Sequence, residues 1–268
     1  MRRCFLSACT RIQPAAAETL SRLAEQETNE NAKFALDCLA ENAKTAERLG
    51  LPVCQDTGVA VVFVELGQDV SLEGNLLEEE VNRGVREAYR EGGFRMSVLD
   101  PVTRKNTFTN TPAVLHLSLV AGDRVKISVL PKGFGSENMS RLYMLTPAQG
   151  LSAAKDAIVE TVRLAGSNPC PPVLLGVGLG GTAEKCMEIA KHALLRPVGS
   201  VNPDPELAAI EAETLERINA LGIGAQGFGG RTTCIGVHVE KYPTHISSLP
   251  VAVNVQCNCV RAAEEVIS

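Results

Sequence analysis

No stretch of the 268-residue chain approaches the ~20 consecutive apolar residues that a membrane-spanning helix needs. The opening Met1-Arg2-Arg3-Cys4-Phe5-Leu6 has no sustained signal-peptide hydrophobic region, so the chain reads as cytosolic. A charge excess that would draw it to nucleic acid or an anionic membrane is also missing: 26 basic against 31 acidic residues leave a net −5. A zinc ribbon requires two close cysteine pairs, and only Cys257-x-Cys259 is close, with the wrong gap for the usual knuckle. Internal repeats, low-complexity tracts and linkers rich in Gly, Ser or charge are lacking. The expectation is therefore one domain over 1–268, with 1–50 as a helical segment packed on it.

What is present is a globular composition, 45% hydrophobic, long enough to bury a sizeable core. The first ~50 residues carry helical periodicity through Leu20, Leu23, Phe34, Leu36, Leu39 and Ala43. A β-branched run over 58–66 predicts a strand buried on both faces, and a helix is expected over 76–91. Alternation over 113–120, the Ala121-Gly122-Asp123 turn and the run 124–130 predict a hairpin. Thr146-Pro147-Ala148-Gln149 predicts a capped helix running to Gly166, and Asp204-Pro205-Glu206 starts another that stops at Gly222. Apolar strands over 233–239 and 250–256 close the chain. Strands and helices mix without a strict βαβ repeat, which predicts a mixed α/β (α+β) fold of mixed sheets surrounded by helices.

Nine cysteines in a chain read as cytosolic point to metal binding or buried thiols rather than disulfides. Cys54 in PVCQDTG, Cys170 in NPCPP and Cys257 in VNVQCNC lie in loops able to present thiolates. They are 116 and 87 residues apart, so a shared site has to be assembled by the fold. A cluster held by three thiolates instead of four leaves one iron open as a Lewis acid. Gly176-Val177-Gly178-Leu179-Gly180-Gly181 matches a dinucleotide fingerprint, but no second strand ending in an acidic residue follows. Those glycines read as close packing of a turn beside the Cys170 loop.

The strings PVCQDTGVAVVFVELG, NTPAV, KGFGSEN, NPCPPVLLGVGLGGTAEK, GAQGFGG and PTHISSLPVAVNVQC, in this order over roughly residues 20–262, resemble the class I fumarate hydratase and L(+)-tartrate dehydratase α-type family. The resemblance implies a hydro-lyase with a [4Fe-4S] cluster on Cys54, Cys170 and Cys257, and gives Cys259 no role. It further implies a carboxylate-binding Arg95 and an active-site His245, twelve residues before Cys257. Gln55 and Asp56 directly follow the first ligand and are expected at the substrate, although Asp56 equally suits a cap on the Asp56-Thr57-Gly58 turn. Lys132, Gly133 and Gly135 follow a strand and are expected to offer backbone N–H groups to an anion. Family members often have glycine where this chain has Phe134.

His116, His192 and His238 read as surface residues of strands or helices. Cys4, Cys9, Cys38, Cys186 and Cys234 read as small buried or half-buried side chains. In the family the carbon-acid base comes from a C-terminal type of domain that this chain does not contain. A separate β subunit is therefore expected as partner, in a hetero-oligomer with two copies of each chain, together with a small dicarboxylate substrate. The expected activity is reversible hydration of fumarate to (S)-malate. The alternatives are the α subunit of L(+)-tartrate dehydratase, acting on tartrate, and a non-catalytic iron-sulfur sensor or interaction subunit.

Overall fold

Residues 1–267 are described in the structure, a computed structural model. The helical amino-terminal stretch resolves into α1 (Arg2–Thr10), α2 (Pro14–Gln26) and α3 (Glu30–Leu49). Pro14 opens α2, where the missing N–H would have had no partner. The Asn29 Oδ1 caps α3 by accepting the Ala32 N–H at 3.0 Å. The β-branched run forms β1 (Val59–Gly67), and α4 (Leu77–Glu91) follows close to its expected span.

Beyond it come β2 (Val114–Val120), β3 (Val125–Lys132), α5 (Phe134–Glu137), β4 (Arg141–Leu145) and α6 (Gly150–Ala165). Ahead of α6, Pro147–Gln149 makes one 3₁₀ turn, and the Gln149 Oε1 accepts the Thr146 N–H at 2.9 Å, as the capping-box spacing requires. Then follow β5 (Val173–Gly180), α7 (Ala183–Ala193) and α8 (Pro205–Asn219), the last capped by Asp204, whose Oδ1 accepts the Glu206 N–H at 2.9 Å. The order ends with β6 (Cys234–Tyr242), β7 (Leu249–Gln256) and β8 (Ala263–Ile267). The architecture is mixed α/β, as expected, but the chain continues past the anticipated last strand into β8.

The backbone divides into two compact units built from interleaved segments. The first holds Met1–Gln13, Asn42–Phe134 and Arg261–Ser268; the second holds Pro14–Glu41 and Gly135–Val260. The first fifty residues are thus shared between units.

In the first unit the sheet order is β2-β1-β3-β8. β2 and β3 are not a hairpin, because β1 lies between them, parallel to β2 and antiparallel to β3. The physical reason is burial: Ala60 through Val64 are all buried, and a strand with two apolar faces is best placed in a sheet interior. Ala60, Val62 and Val64 pack with Phe5 of α1, Val85 and Tyr89 of α4, and Val129 of β3.

In the second unit the order is β4-β7-β5-β6, with β5 parallel to β6 and antiparallel to β7. Val173, Leu175, Val177 and Leu179 line one face of β5 and pack with Ile158 and Val162 of α6 and Ile210 of α8. Gly176 and Gly178 line the other, where α7 lies so close that a Cβ would stand 2.0 Å from the Ala190 O and 2.1 Å from the Cys186 O. The glycines do serve close packing, but along a strand face of period two rather than in a turn.

Candidate active site

The candidate residues divide between the two units. In the first, the loop Val53–Gly58 runs into β1 and is tied down at several backbone groups. The Asn42 Nδ2 donates to the Val53 O at 2.9 Å. Asp56 takes the Gly58 N–H on Oδ1 at 3.0 Å and the Phe134 N–H on Oδ2 at 2.8 Å, while its own carbonyl accepts Arg261 Nη1 at 2.7 Å. The Thr57 hydroxyl donates to the Arg95 O at 3.0 Å, and the Tyr89 hydroxyl lies 2.8 Å from the Thr57 O and 2.9 Å from the Gly58 O. Burial foremost pushes that phenol above its ordinary range, so it stays a neutral donor.

Gly58 sits at φ +81°, and a Cβ there would come within 2.7 Å of the Lys132 backbone, so only glycine fits. Lys132 and Arg261 are both 1% exposed, an unusual pair of buried cations. A Cβ at Gly133 would stand 3.1 Å from Arg261 Nη2 and 3.2 Å from Asp56 Oδ2, so the bare glycine keeps space beside both groups. Cys54 is half-buried, whereas Gln55 and Arg95 are exposed. This unit therefore gathers Gln55, Asp56, the Arg95 backbone, Lys132 and Gly133, with positive charge buried beside an acceptor carboxylate. Asp56 caps its own turn, one of the two roles foreseen for it, and is half-exposed.

The loop after β3 departs from expectation. The Phe134 N–H is engaged by Asp56 rather than presented to an external anion, and the Lys132 ammonium turns back to the Gly133 O at 3.4 Å. Gly135 belongs to the second unit, where a Cβ would meet only the Asn168 O at 3.9 Å, an ordinary contact.

In the second unit, Cys170 and Cys257 lie on neighbouring loops. Cys170 has a left-handed backbone at φ +54°, uncommon outside glycine, and is exposed. Its carbonyl accepts from Asn258, the residue after Cys257, through the Nδ2 at 2.8 Å and the backbone N–H at 3.4 Å. The next carbonyl, Pro171, accepts the Gln226 N–H and Nε2, each at 2.8 Å. Gln256 Nε2 lies 3.6 Å from Cys257 Sγ and 2.7 Å from the Cys259 O. Deeper along β7, the Asn254 Nδ2 donates to Glu137 Oε2 at 3.1 Å, and Glu137 pairs with Lys191. Asn254 Oδ1 and Gln256 Oε1 are buried with no protein partner among the described residues.

Among the described residues no three His, Cys, Asp or Glu side chains form a group that could hold a metal ion. The second unit by itself nonetheless suits two ligands of a thiolate-bound centre: adjacent loops bearing an exposed Cys170 and a half-buried Cys257, with soft sulfur donors that match iron-sulfur chemistry. The other cysteines separate clearly from this pair. Burial pushes Cys9 and Cys234 up to about 12 and Cys186 up to about 11, and raises Cys4. Cys38, expected half-buried, is exposed instead.

His245 lies in the exposed loop from β6 to β7, its Nδ1 2.8 Å from the Ser247 hydroxyl. β7 occupies the interval to Cys257, and its eight residues at ~3.4 Å each separate the two ends by roughly 24 Å. The second unit thus does not bring His245 to Cys257. His238 corrects another expectation: it is 2% exposed, with Nδ1 3.2 Å from the Ala193 O, and burial lowers it to about 4. Residue-by-residue reading missed Arg261, Asn258 and Gln226. Their only trace in the sequence is a lone arginine after apolar Cys259-Val260 and amides next to Cys257 and inside GAQGFGG.

A family model described as fumarate hydratase (fumerase) matches residues 1–266, and the chain belongs to that family. A putative L(+)-tartrate dehydratase subunit alpha of Methanocaldococcus jannaschii is 42% identical over 89% of this chain and 86% of its own length. The L(+)-tartrate dehydratase subunit alpha of Escherichia coli K12 is 33% identical over 92% of this chain and 83% of its own. No helix among the described residues is long and apolar enough to cross a membrane.

Proposed function

We propose that the chain is the α subunit of an iron-sulfur hydro-lyase, hydrating fumarate to (S)-malate together with a β subunit. The observation that carries this reading is the double grip of Asn258 on the Cys170 carbonyl, which places the Cys257 loop against the Cys170 loop within one unit. Cys170 and Cys257, joined by Cys54, would hold a [4Fe-4S] cluster. When bound, that group supplies an open iron that acts as a Lewis acid on a hydroxyl and a carboxylate.

The chain's own residues do the rest. Arg95 and Gln55, exposed near the Asp56 turn, bind and orient the dicarboxylate. Lys132 and Arg261, buried in the same unit, add positive potential, and the bare Gly133 leaves room beside Arg261 and Asp56. Asp56 handles the proton of the leaving or arriving water, for which its half-exposed carboxylate is suited. His245, exposed in the loop at the far end of β7 from Cys257, is the second proton-transfer candidate. We further propose that both units act as one catalytic domain and that the carbon-acid base resides on the β subunit, whose existence is suggested by the subunit names of the relatives.

Those same names favour a second reading, L(+)-tartrate as substrate. Anaerobic co-expression with the β-type chain, followed by iron and sulfide analysis and parallel malate and tartrate assays, tests both. Bound iron and sulfide with malate turnover supports the first reading, and tartrate turnover alone supports the second. A colourless, iron-free complex under anaerobic conditions would overturn both.

A further inference from the structure

Among the described residues the two sheets present four edge strands, and three of them carry charge. β8 has Glu264 and Glu265, β4 has Arg141, and β6 has Glu240 and Lys241. Charge on an edge is the usual protection against pairing with another chain. β2 has none: Val114-Leu115-His116-Leu117-Ser118-Leu119-Val120 is uncharged and free of proline and glycine, yet Leu117 is 53% and Leu119 73% exposed. The Val120 carbonyl accepts the Gln68 N–H at 2.8 Å on the β1 side. Because backbone groups alternate sides along a strand, those of Leu115, Leu117 and Leu119 point to the outer edge.

The pattern of β2 is nearly a palindrome about Leu117. If a second β2 runs antiparallel beside it with Leu117 opposite Leu117, Leu115 meets Leu119, Val114 meets Val120, and the two polar residues, His116 and Ser118, meet each other. A two-fold axis demands this self-complementarity, whereas an unrelated partner does not. From these observations we propose that β2 is the docking edge for a second copy of this chain, joined about Leu117 into a continuous eight-stranded sheet. The proposal rests on no part of the catalytic reading.

The test exploits the self-facing position. Light scattering or native mass spectrometry of the purified chain, alone and co-expressed with the β-type chain, should show two copies, twice 28.5 kDa for the chain alone. Leu117→Lys and Leu117→Asp each place like charges directly opposite one another, and each should weaken self-association about a hundredfold or more. Mixing the two variants should restore a heterodimer, because lysine then faces aspartate. For the unmodified chain, amide exchange over 114–120 should accelerate on dilution, which keeps the test valid even if a variant fails to fold. A monomeric wild type, a Leu117→Lys variant that still dimerises, or mixed variants that stay apart would overturn the proposal. Loss of the β-type chain rather than the second copy from the Leu117→Lys complex would do the same.

Discussion

The loop around Asp56 in the first unit and the loop around Cys170 in the second both fasten a candidate site residue to a sheet, and they do so with opposite chemistry. Around Asp56 the holders include a buried cation, Arg261 on the carbonyl, with backbone N–H groups on the carboxylate. Around Cys170 the holders are neutral amides, Asn258 and Gln226, each gripping one carbonyl twice. A carboxylate is stabilised by nearby positive charge, so the first loop tolerates cations that would be costly to bury without acceptors. A thiol proposed to hold a metal needs its backbone aimed, and neutral amides do that without competing for the sulfur. The same demand for rigidity is met by charge in one place and by amide geometry in the other.

The comparison breaks hardest at the glycines. Gly58→Ala forces a side chain into a left-handed position and onto the Lys132 backbone, and should cost about 4 kcal/mol as strain and overpacking combine. Gly135→Ala should stay within about 0.5 kcal/mol, since its Cβ meets only ordinary contacts. Urea unfolding of the two variants measures both.

Next comes pH. Burial holds His238 of the second unit at about 4, below its usual 6.5, so the unfolded chain takes up a proton first as pH falls. Its stabilisation is complete above about pH 6.5 and is lost as pH drops towards 4, amounting to roughly 3 kcal/mol. His238→Gln should flatten the dependence of unfolding free energy on pH across that window. An unchanged slope would mean that another group dominates.

Arg261→Met should cost about 2 kcal/mol, because a charge-assisted bond from a buried guanidinium to the Asp56 carbonyl is lost while the apolar stem is replaced. Asn258→Ala removes a neutral bond and should cost about 1 kcal/mol, with faster alkylation of Cys170 read by mass spectrometry as its loop loosens. Should Asn258→Ala prove the more damaging of the two, the contrast between charged and neutral clamps would fail.

Much of the fold was legible in advance. Periodicity placed α4, and the Thr146/Gln149 and Asp204 caps placed α6 and α8, because those signals act within a turn or two of chain. Non-local pairing was not legible: the 113–120 and 124–130 runs form strands, but β1 inserts between them, a choice made by burial rather than by the turn. β8 escaped notice because Glu264 and Glu265 mask a short edge strand. Of the candidate residues, Asp56 and Gln55 are singled out by their place after Cys54, and the Asp56 cap on its own turn was legible from Asp56-Thr57-Gly58. Arg261 was not, since an arginine buried at 1% exposure is recognised only by what surrounds it. The resemblance marked His245 by its position twelve residues before Cys257, and the structure adds that an extended strand fills most of that interval.

Local chemistry, the order of the motifs and family membership were therefore settled by the amino-acid sequence alone, because caps, glycines and ligand-bearing loops act over a few residues. Tertiary structure decided which carbonyl Asn258 grips, which cation holds the Asp56 carbonyl, that Gly176 and Gly178 meet α7, and that an uncharged strand ends at a sheet edge. Each of these depends on residues tens to hundreds of positions apart meeting in space, and no local pattern encodes the free energy that selects one such meeting over another.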